Sequence, residues 1–254
     1  MIDIHAHLCF PDFDKDREHV IEQAKGEMSA VIISSARYDE GVKVLKLAKK
    51  HPGFLFVTLG HHPTEGDHKG KNYNDVIQLI RENVDKIVAI GEVGLDYHWE
   101  KDEKKREEQK VVFQEFVDLA KELKKPLVIH SWDAERECYE MVKDSGLTCI
   151  FHCYSGPKEL ANEILEHDNF YISISTGVVF SKGLRKIAKQ MPLDRMLLET
   201  DSPFLDPDRE RKHNVPWNIK ISTEKIAKER KCSSEEILKT AKNNAVRVFG
   251  LKIK

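Results

Sequence analysis

The chain has 254 residues, with 41 Lys+Arg against 43 Asp+Glu and a formal net charge of −2 at pH 7. That length suits one large α/β domain, and the near balance of charge excludes a chain that coats nucleic acid by bulk electrostatics, though not a local site where bound cations attract phosphate. No apolar stretch approaches the ~20 residues of a membrane span, no basic-then-apolar leader opens the chain, and the scattered cysteines form neither a disulfide framework nor a zinc finger, so the cytoplasm is the simplest compartment.

The first apolar run, near 2–7, reads as a short buried strand that ends His5-Ala-His7. Side chains two apart in a strand share a face, so the two imidazoles point the same way. Further short apolar runs follow near 30–34, 54–60, 87–92, 126–130, 148–152, 170–175 and 196–200. Charged segments with helical spacing lie between them. The segment 102–124 is the clearest, with Val112, Phe113, Phe116, Val117, Ala120 and Leu123 at three- and four-residue steps and Pro126 beyond its end. A final helix over about 234–249 opens with Ser233-x-x-Glu236, a capping-box pattern. Eight strands alternating with helices imply parallel strands and right-handed crossovers. An open doubly wound sheet is the alternative, but no glycine-rich phosphate fingerprint follows the first strand. The reading is a (β/α)8 TIM barrel, with residues 1–254 as a single domain and the active site at the C-terminal strand ends.

Those ends carry a pattern. The first strand ends on His5 and His7, the fourth runs into Glu92, the fifth ends on His130, the sixth on His152, and the eighth is followed by Asp201. Four imidazoles and two carboxylates are thus delivered to one face of one barrel. A single histidine after an apolar run is usually a satisfied core residue, but five coincidences at strand ends point to metal. Six ligands exceed one tetrahedral zinc and suit two ions with a shared bridge. A carboxylate can bridge and an imidazole cannot. The expectation is therefore one divalent ion on His5, His7, Asp201 and Glu92, and a second on Glu92, His130 and His152. Such donors accept Zn, Mn, Ni, Co and, less willingly, Mg.

Taken in order, His-x-His, Gly-Glu-x-Gly-Leu-Asp-Tyr, Ile-His, His-Cys-x-Ser-Gly and Glu-Thr-Asp-Ser-Pro resemble the TatD-type metal-dependent deoxyribonucleases. The resemblance runs from Asp3 to the final Ala245-x-x-x-Phe249-Gly-Leu. It implies a TIM barrel, two divalent metals and hydrolysis of DNA phosphodiesters, often from the 3′ end. It also singles out His62 of Gly60-His61-His62-Pro63 as a site residue. The match breaks after the eighth strand. Where the family often has Arg-Asn-Glu-Pro, this chain reads Arg209-Glu210-Arg211-Lys212-His213-Asn214-Val215-Pro216.

Hydrolysis of a phosphodiester needs an activated water and neutralised phosphoryl oxygens. Asp201 is read either as a ligand alone or as a ligand that also accepts the water's proton. His62 either donates to a phosphate oxygen or is a turn histidine before Pro63. Arg209 and Lys212 are the candidate DNA-binding cations. Glu199 either orients a ligand or is a satisfied polar group, and Asp96 fixes its loop. Nothing calls for an obligatory protein partner. Two other functions stay open: a barrel hydrolase of lactones, phosphotriesters or C–N bonds, and a metal-binding scaffold without turnover. An open cleft favours an enzyme, and a plugged one the scaffold.

Overall fold

The computed structural model describes residues 1–66, 70–208 and 213–253. Its eight strands are β1 (Ile2–Ala6), β2 (Ala30–Ser35), β3 (Leu55–Leu59), β4 (Ala89–Gly94), β5 (Leu127–His130), β6 (Cys149–Phe151), β7 (Phe170–Ile174) and β8 (Met196–Leu198). They form one parallel sheet in sequence order. The helices between and after them are α1 (Arg17–Glu27), α2 (Tyr38–Lys50), α3 (Lys71–Glu82), α4 (Glu103–Leu123), α5 (Glu135–Val142), α6 (Lys158–Leu165), α7 (Lys182–Gln190), α8 (Ile219–Arg230) and α9 (Ser234–Phe249).

The sheet curls into a nearly closed TIM barrel rather than an open doubly wound sheet. Closure falls to the chain just past β8: Asp201 N–H donates to the His5 carbonyl at 3.0 Å, and His7 N–H donates to the Ser202 carbonyl at 2.7 Å. One strand face packs on the helices. Val31, Ile33, Leu127, Ile129 and Phe151 lie there with Phe113, Phe116 and Val117 of α4. The opposite faces form the interior, where Ile4, Ile32, Val128, Ile150 and Leu197 meet Ala245, Val248 and Phe249 of α9. The apolar face of the last turns of α9 thus seals the floor, and polar groups are left to the other end. The helix ends follow the sequence. Asp102 caps α4 by accepting from Lys105 N–H at 3.1 Å, and the Ser233 hydroxyl caps α9 by accepting from Glu236 N–H at 3.1 Å.

Two irregularities decide what faces the interior. In β1, the step from Asp3 to Ala6 is matched by only Val31 to Ile33 in β2. In β4, Ile90 to Val93 is matched by only Leu127 to Ile129 in β5. Each is one extra residue, a bulge that reverses the inside–outside alternation beyond it. Ile2 and Ile4 point inward, so strict alternation would send His5 and His7 outward into the helices. The bulge turns both toward the interior, and the one in β4 does the same for Glu92. Gly91 makes the second bulge possible. It holds φ at 152°, and a Cβ there would lie 2.6 Å from Val128 Cβ. Among the described residues no helix is long and apolar enough to cross a membrane.

Candidate metal centre

The six ligand-type side chains named above converge at the C-terminal end of the barrel. Glu92 is at their centre. Its Oε2 lies 3.2 Å from His5 Nε2 and 2.9 Å from His152 Nε2, and its Oε1 lies 3.7 Å from His7 Nε2. Asp201 Oδ1 lies 3.5 Å from His7 Nε2 and 3.9 Å from His5 Nε2. His130 Nδ1 lies 3.4 Å from His152 Nε2. Among the described residues four groups, His5–His7–Glu92, Glu92–His130–His152, His5–His152–Asp201 and His62–Asp96–His130, each bring three donor atoms within 4.8 Å of one another.

Neighbouring groups orient these rings. The His5 Nδ1 faces Ser34 Oγ at 3.2 Å, and Thr58 Oγ1 donates to that Ser34 oxygen at 2.9 Å. With its proton on Nδ1, His5 keeps the Nε2 lone pair for the cluster. The Asp96 carboxylate takes His130 Nε2 at 2.9 Å, leaving Nδ1 for the cluster. Glu199 Oε1 accepts from Cys153 N–H at 2.5 Å and stands 3.7 Å from His152 Nδ1. Asp3, fully buried under the site, accepts from the N–H groups of His5 and Thr200, each at 3.1 Å, and so ties the two ligand-bearing strand ends together. Asp201 sits at φ 56° in the left-handed region, a strained conformation for a side-chain-bearing residue held by its own N–H bond to β1.

The electrostatics suit a divalent cation. Burial alone raises a carboxyl pKa, but the imidazoles of His62, His5 and His152 hold Glu92 well below its ordinary value. Asp201 is lowered in the same way, with burial opposed chiefly by the His7 hydrogen bond. Both carboxylates are therefore ionised, as ligation requires. Burial lowers His5, helped by His152, which favours its neutral form. Burial also opposes charge on His7 and His152, yet Asp201 pulls the first up, and Glu199 and Glu92 pull the second up. The pocket attracts positive charge, and its donors are the imidazole and carboxylate atoms that bind divalent metals.

His62 and His61 part company. His62 Nε2 looks toward Glu92 Oε1 at 4.0 Å, while its Nδ1 accepts from Thr64 N–H at 3.2 Å. The free proton is therefore on Nε2, facing the cluster. Burial pushes this imidazole down to about 3, with His130 adding to the effect and Glu92 opposing it. His61 turns away to the Gly66 carbonyl and the Tyr73 ring. Arg209 and Lys212 lie outside the described residues. His213 sits 3.4 Å from Asp16 and edge-on to Phe13.

The cluster opens into a cleft of about 880 Å³ lined by, among others, His7, His62, Glu92, His130, His152 and Asp201. No lysine or arginine lines it among the described residues. Eight large apolar side chains are exposed among these residues, and Trp99, Trp132, Phe180, Phe204 and Leu205 all line this cleft. Apolar exposure is thus gathered at its mouth. Motif reading missed this rim, together with Ser34 and Thr58. It gave Asp96 only a loop-fixing part, and the bond to His130 adds a second. A lone serine or tryptophan in a loop has no spacing that announces it.

Residues 2–250 match the family model described as TatD related DNase. An uncharacterized metal-dependent hydrolase of Methanocaldococcus jannaschii is 39% identical over 249 residues, covering 98% of this chain and 96% of the relative. The deoxyribonuclease TATDN3 of Homo sapiens is 34% identical over 260 residues, covering 98% and 94%. Among solved structures, a TatD homologue from Escherichia coli superposes with a TM-score of 0.88 at 24% identity, over 98% of each chain, and so shares the fold.

Proposed function

The chain belongs to the TatD related DNase family of metal-dependent hydrolases, and from that premise we propose that it hydrolyses DNA phosphodiester bonds, as a 3′ exonuclease, with two divalent ions. His5, His7, Glu92 and Asp201 would hold one ion, and Glu92, His130 and His152 the other. The observation that carries this reading is the Glu92 carboxylate, whose Oε2 lies 3.2 Å from His5 Nε2 and 2.9 Å from His152 Nε2 while its Oε1 faces His7 Nε2 at 3.7 Å. A carboxylate so placed serves both groups of imidazoles. The deoxyribonuclease named among the relatives supports DNA as the substrate.

Divalent ions in such a site lower the pKa of water and draw charge from the phosphoryl oxygens. The protein's own part is positional and electrostatic. Asp201 Oδ1 faces His7 Nε2 at 3.5 Å, and its residue borders the cleft, so this carboxylate can take the proton of an attacking water. His62 offers its Nε2–H to a phosphoryl oxygen, and its depressed pKa keeps it a neutral donor. Asp96 and Ser34 hold the His130 and His5 rings in orientation, and Glu199 stands near His152.

The test is hydrolysis of end-labelled single-stranded DNA beside a panel of esters and lactones, across several divalent metals. Chelator-sensitive release of nucleotides from the 3′ end is expected, with closed circles spared. Equal cutting of circles would reject the end requirement. Activity confined to esters or lactones would reject DNA as substrate.

A further inference from the structure

We propose that the aromatic rings on either side of the metal cluster are base-stacking platforms, which grip the unpaired bases flanking the scissile phosphate. The proposal rests on the DNA reading and adds the residues that hold the strand.

The rings form two separate groups. One lies on the His130 side. Trp132 follows His130 by two residues, in the loop between β5 and α5. Trp99 follows Asp96 by three, in the loop between β4 and α4. Both are pinned: Trp99 N–H donates to Asp96 Oδ1 at 2.7 Å, and Tyr97 N–H donates to the Trp132 carbonyl at 2.9 Å. His98 stacks on Trp132 with centroids 3.9 Å apart and planes 4° from parallel, and Trp99 stands edge-on to Trp132 at 6.2 Å and 87°. The indoles thus make a rigid corner of two perpendicular planes. Yet Trp99 remains 69% exposed and Trp132 39%. The second group lies on the His7 side. Phe10 stacks on His7 at 4.5 Å, and Phe204, 52% exposed, meets Phe10 edge-on at 6.0 Å.

Exposed rings gathered around the ligand cluster offer flat apolar faces to a planar partner. Bases suit that role. Every base has a π-face, so stacking holds a strand without reading its sequence. Bases inside a duplex have no free face and a duplex end offers one only outward, so rings on both sides of one linkage call for unpaired bases. A cleft whose described lining has no lysine or arginine also leaves stacking, rather than cationic side chains, as the means of grip along those walls.

The experiment uses metal-loaded protein and a short single-stranded oligonucleotide with 2-aminopurine beside the scissile linkage. Trp132→Ala and Phe204→Ala should each raise KM roughly tenfold, the worth of one base–aromatic stack, with kcat little changed. On phosphorothioate versions carrying 2-aminopurine on one side of the linkage or the other, each variant should also abolish the quenching of the base on its own side. Trp132→Phe and Phe204→Trp should restore both. Unchanged metal content would show that the cluster is intact. Cleavage with wild-type KM and quenching in both alanine variants would overturn the platforms and leave the DNA reading standing. Failure of the wild type to cleave any oligonucleotide would overturn the DNA reading and the platforms with it.

Discussion

His130 gives its Nε2 to the Asp96 carboxylate, 2.9 Å away, and turns its Nδ1 to His152 Nε2, 3.4 Å away. Asp96 thereby selects which nitrogen His130 would offer to a metal. Asp96→Ala should weaken the ion on His130 and His152 by about 10–100-fold, while the ion on His5 and His7 is retained. Asp96→Asn, which keeps an acceptor, should fall between it and wild type. Calorimetric titration of the demetallated protein resolves the two affinities, and equal weakening of both ions would reject the assignment.

Glu92 is 4% exposed and touches imidazoles from β1 and from the residue just past β6. Glu92→Gln removes the charge shared by both proposed ions. Metal content should drop from about two ions per chain to one or none, and turnover should fall by roughly 10³-fold, several kcal/mol of lost charge stabilisation. The barrel should remain folded, because Glu92 sits at the mouth and not in the apolar layer sealed by α9. Elemental analysis and circular dichroism on the same samples decide the matter. Near-normal turnover would end the bridging role.

The order of elements was legible in the sequence because each strand is a short apolar run and each long helix carries a periodic face. Segment 102–124 was expected and α4 spans Glu103–Leu123. The final helix, expected over about 234–249, is Ser234–Phe249. The direction in which the ligands face was legible only in part. Two-residue spacing correctly kept His5 and His7 together. Alternation from Ile2 and Ile4 would have aimed both outward, and the bulge that corrects this depends on pairing with β2, which one strand's sequence does not contain. Glu92 depends likewise on Gly91 and its fit against Val128. The orienting roles of Ser34 and Asp96 arise from contacts between strands 29 and 34 residues apart, beyond the reach of any local pattern.

His62 should act as a neutral hydrogen-bond donor over the whole assay range, since its imidazole is pushed down to about 3. His62→Gln retains a donor and should keep more kcat/KM than His62→Ala, which should lose about 10-fold or more through one missing charge-assisted bond. Neither variant should move a limb of the pH–rate profile above pH 5. The sign for stability follows from the same shift. A folded-state pKa below the unfolded value of 6.5 means that the unfolded chain binds the proton more readily. Stability from this group is present above pH 6.5 and is lost as pH falls toward about 3. Both variants should therefore lose less Tm than wild type on acidification through that window. A pH–rate limb near neutrality that vanishes in His62→Gln would assign His62 a proton-transfer role instead.

Arg209 and Lys212 lie outside the described residues and are proposed as phosphate-binding cations. The described lining of the cleft offers aromatic rings, imidazoles and carboxylates but no lysine or arginine, in a chain of net charge −2. Stacking holds bases and does nothing for the phosphates beyond the metal pair. Arg209 and Lys212 follow Asp201 by eight and eleven residues and bracket the run Arg209-Glu210-Arg211-Lys212, the sequence's nearest source of positive charge after it. Each phosphate contact releases condensed counterions, worth about 0.7 in the slope of log K against log salt for a single strand. Neutralising Arg209 and Lys212 together should thus flatten that slope by about 1.4 and raise KM, with kcat little changed. Anisotropy of a labelled oligonucleotide across a salt series supplies the slope, and steady-state kinetics the rest. An unaltered slope would remove both residues from the binding surface. A fall in kcat at constant KM would move them into the transition state.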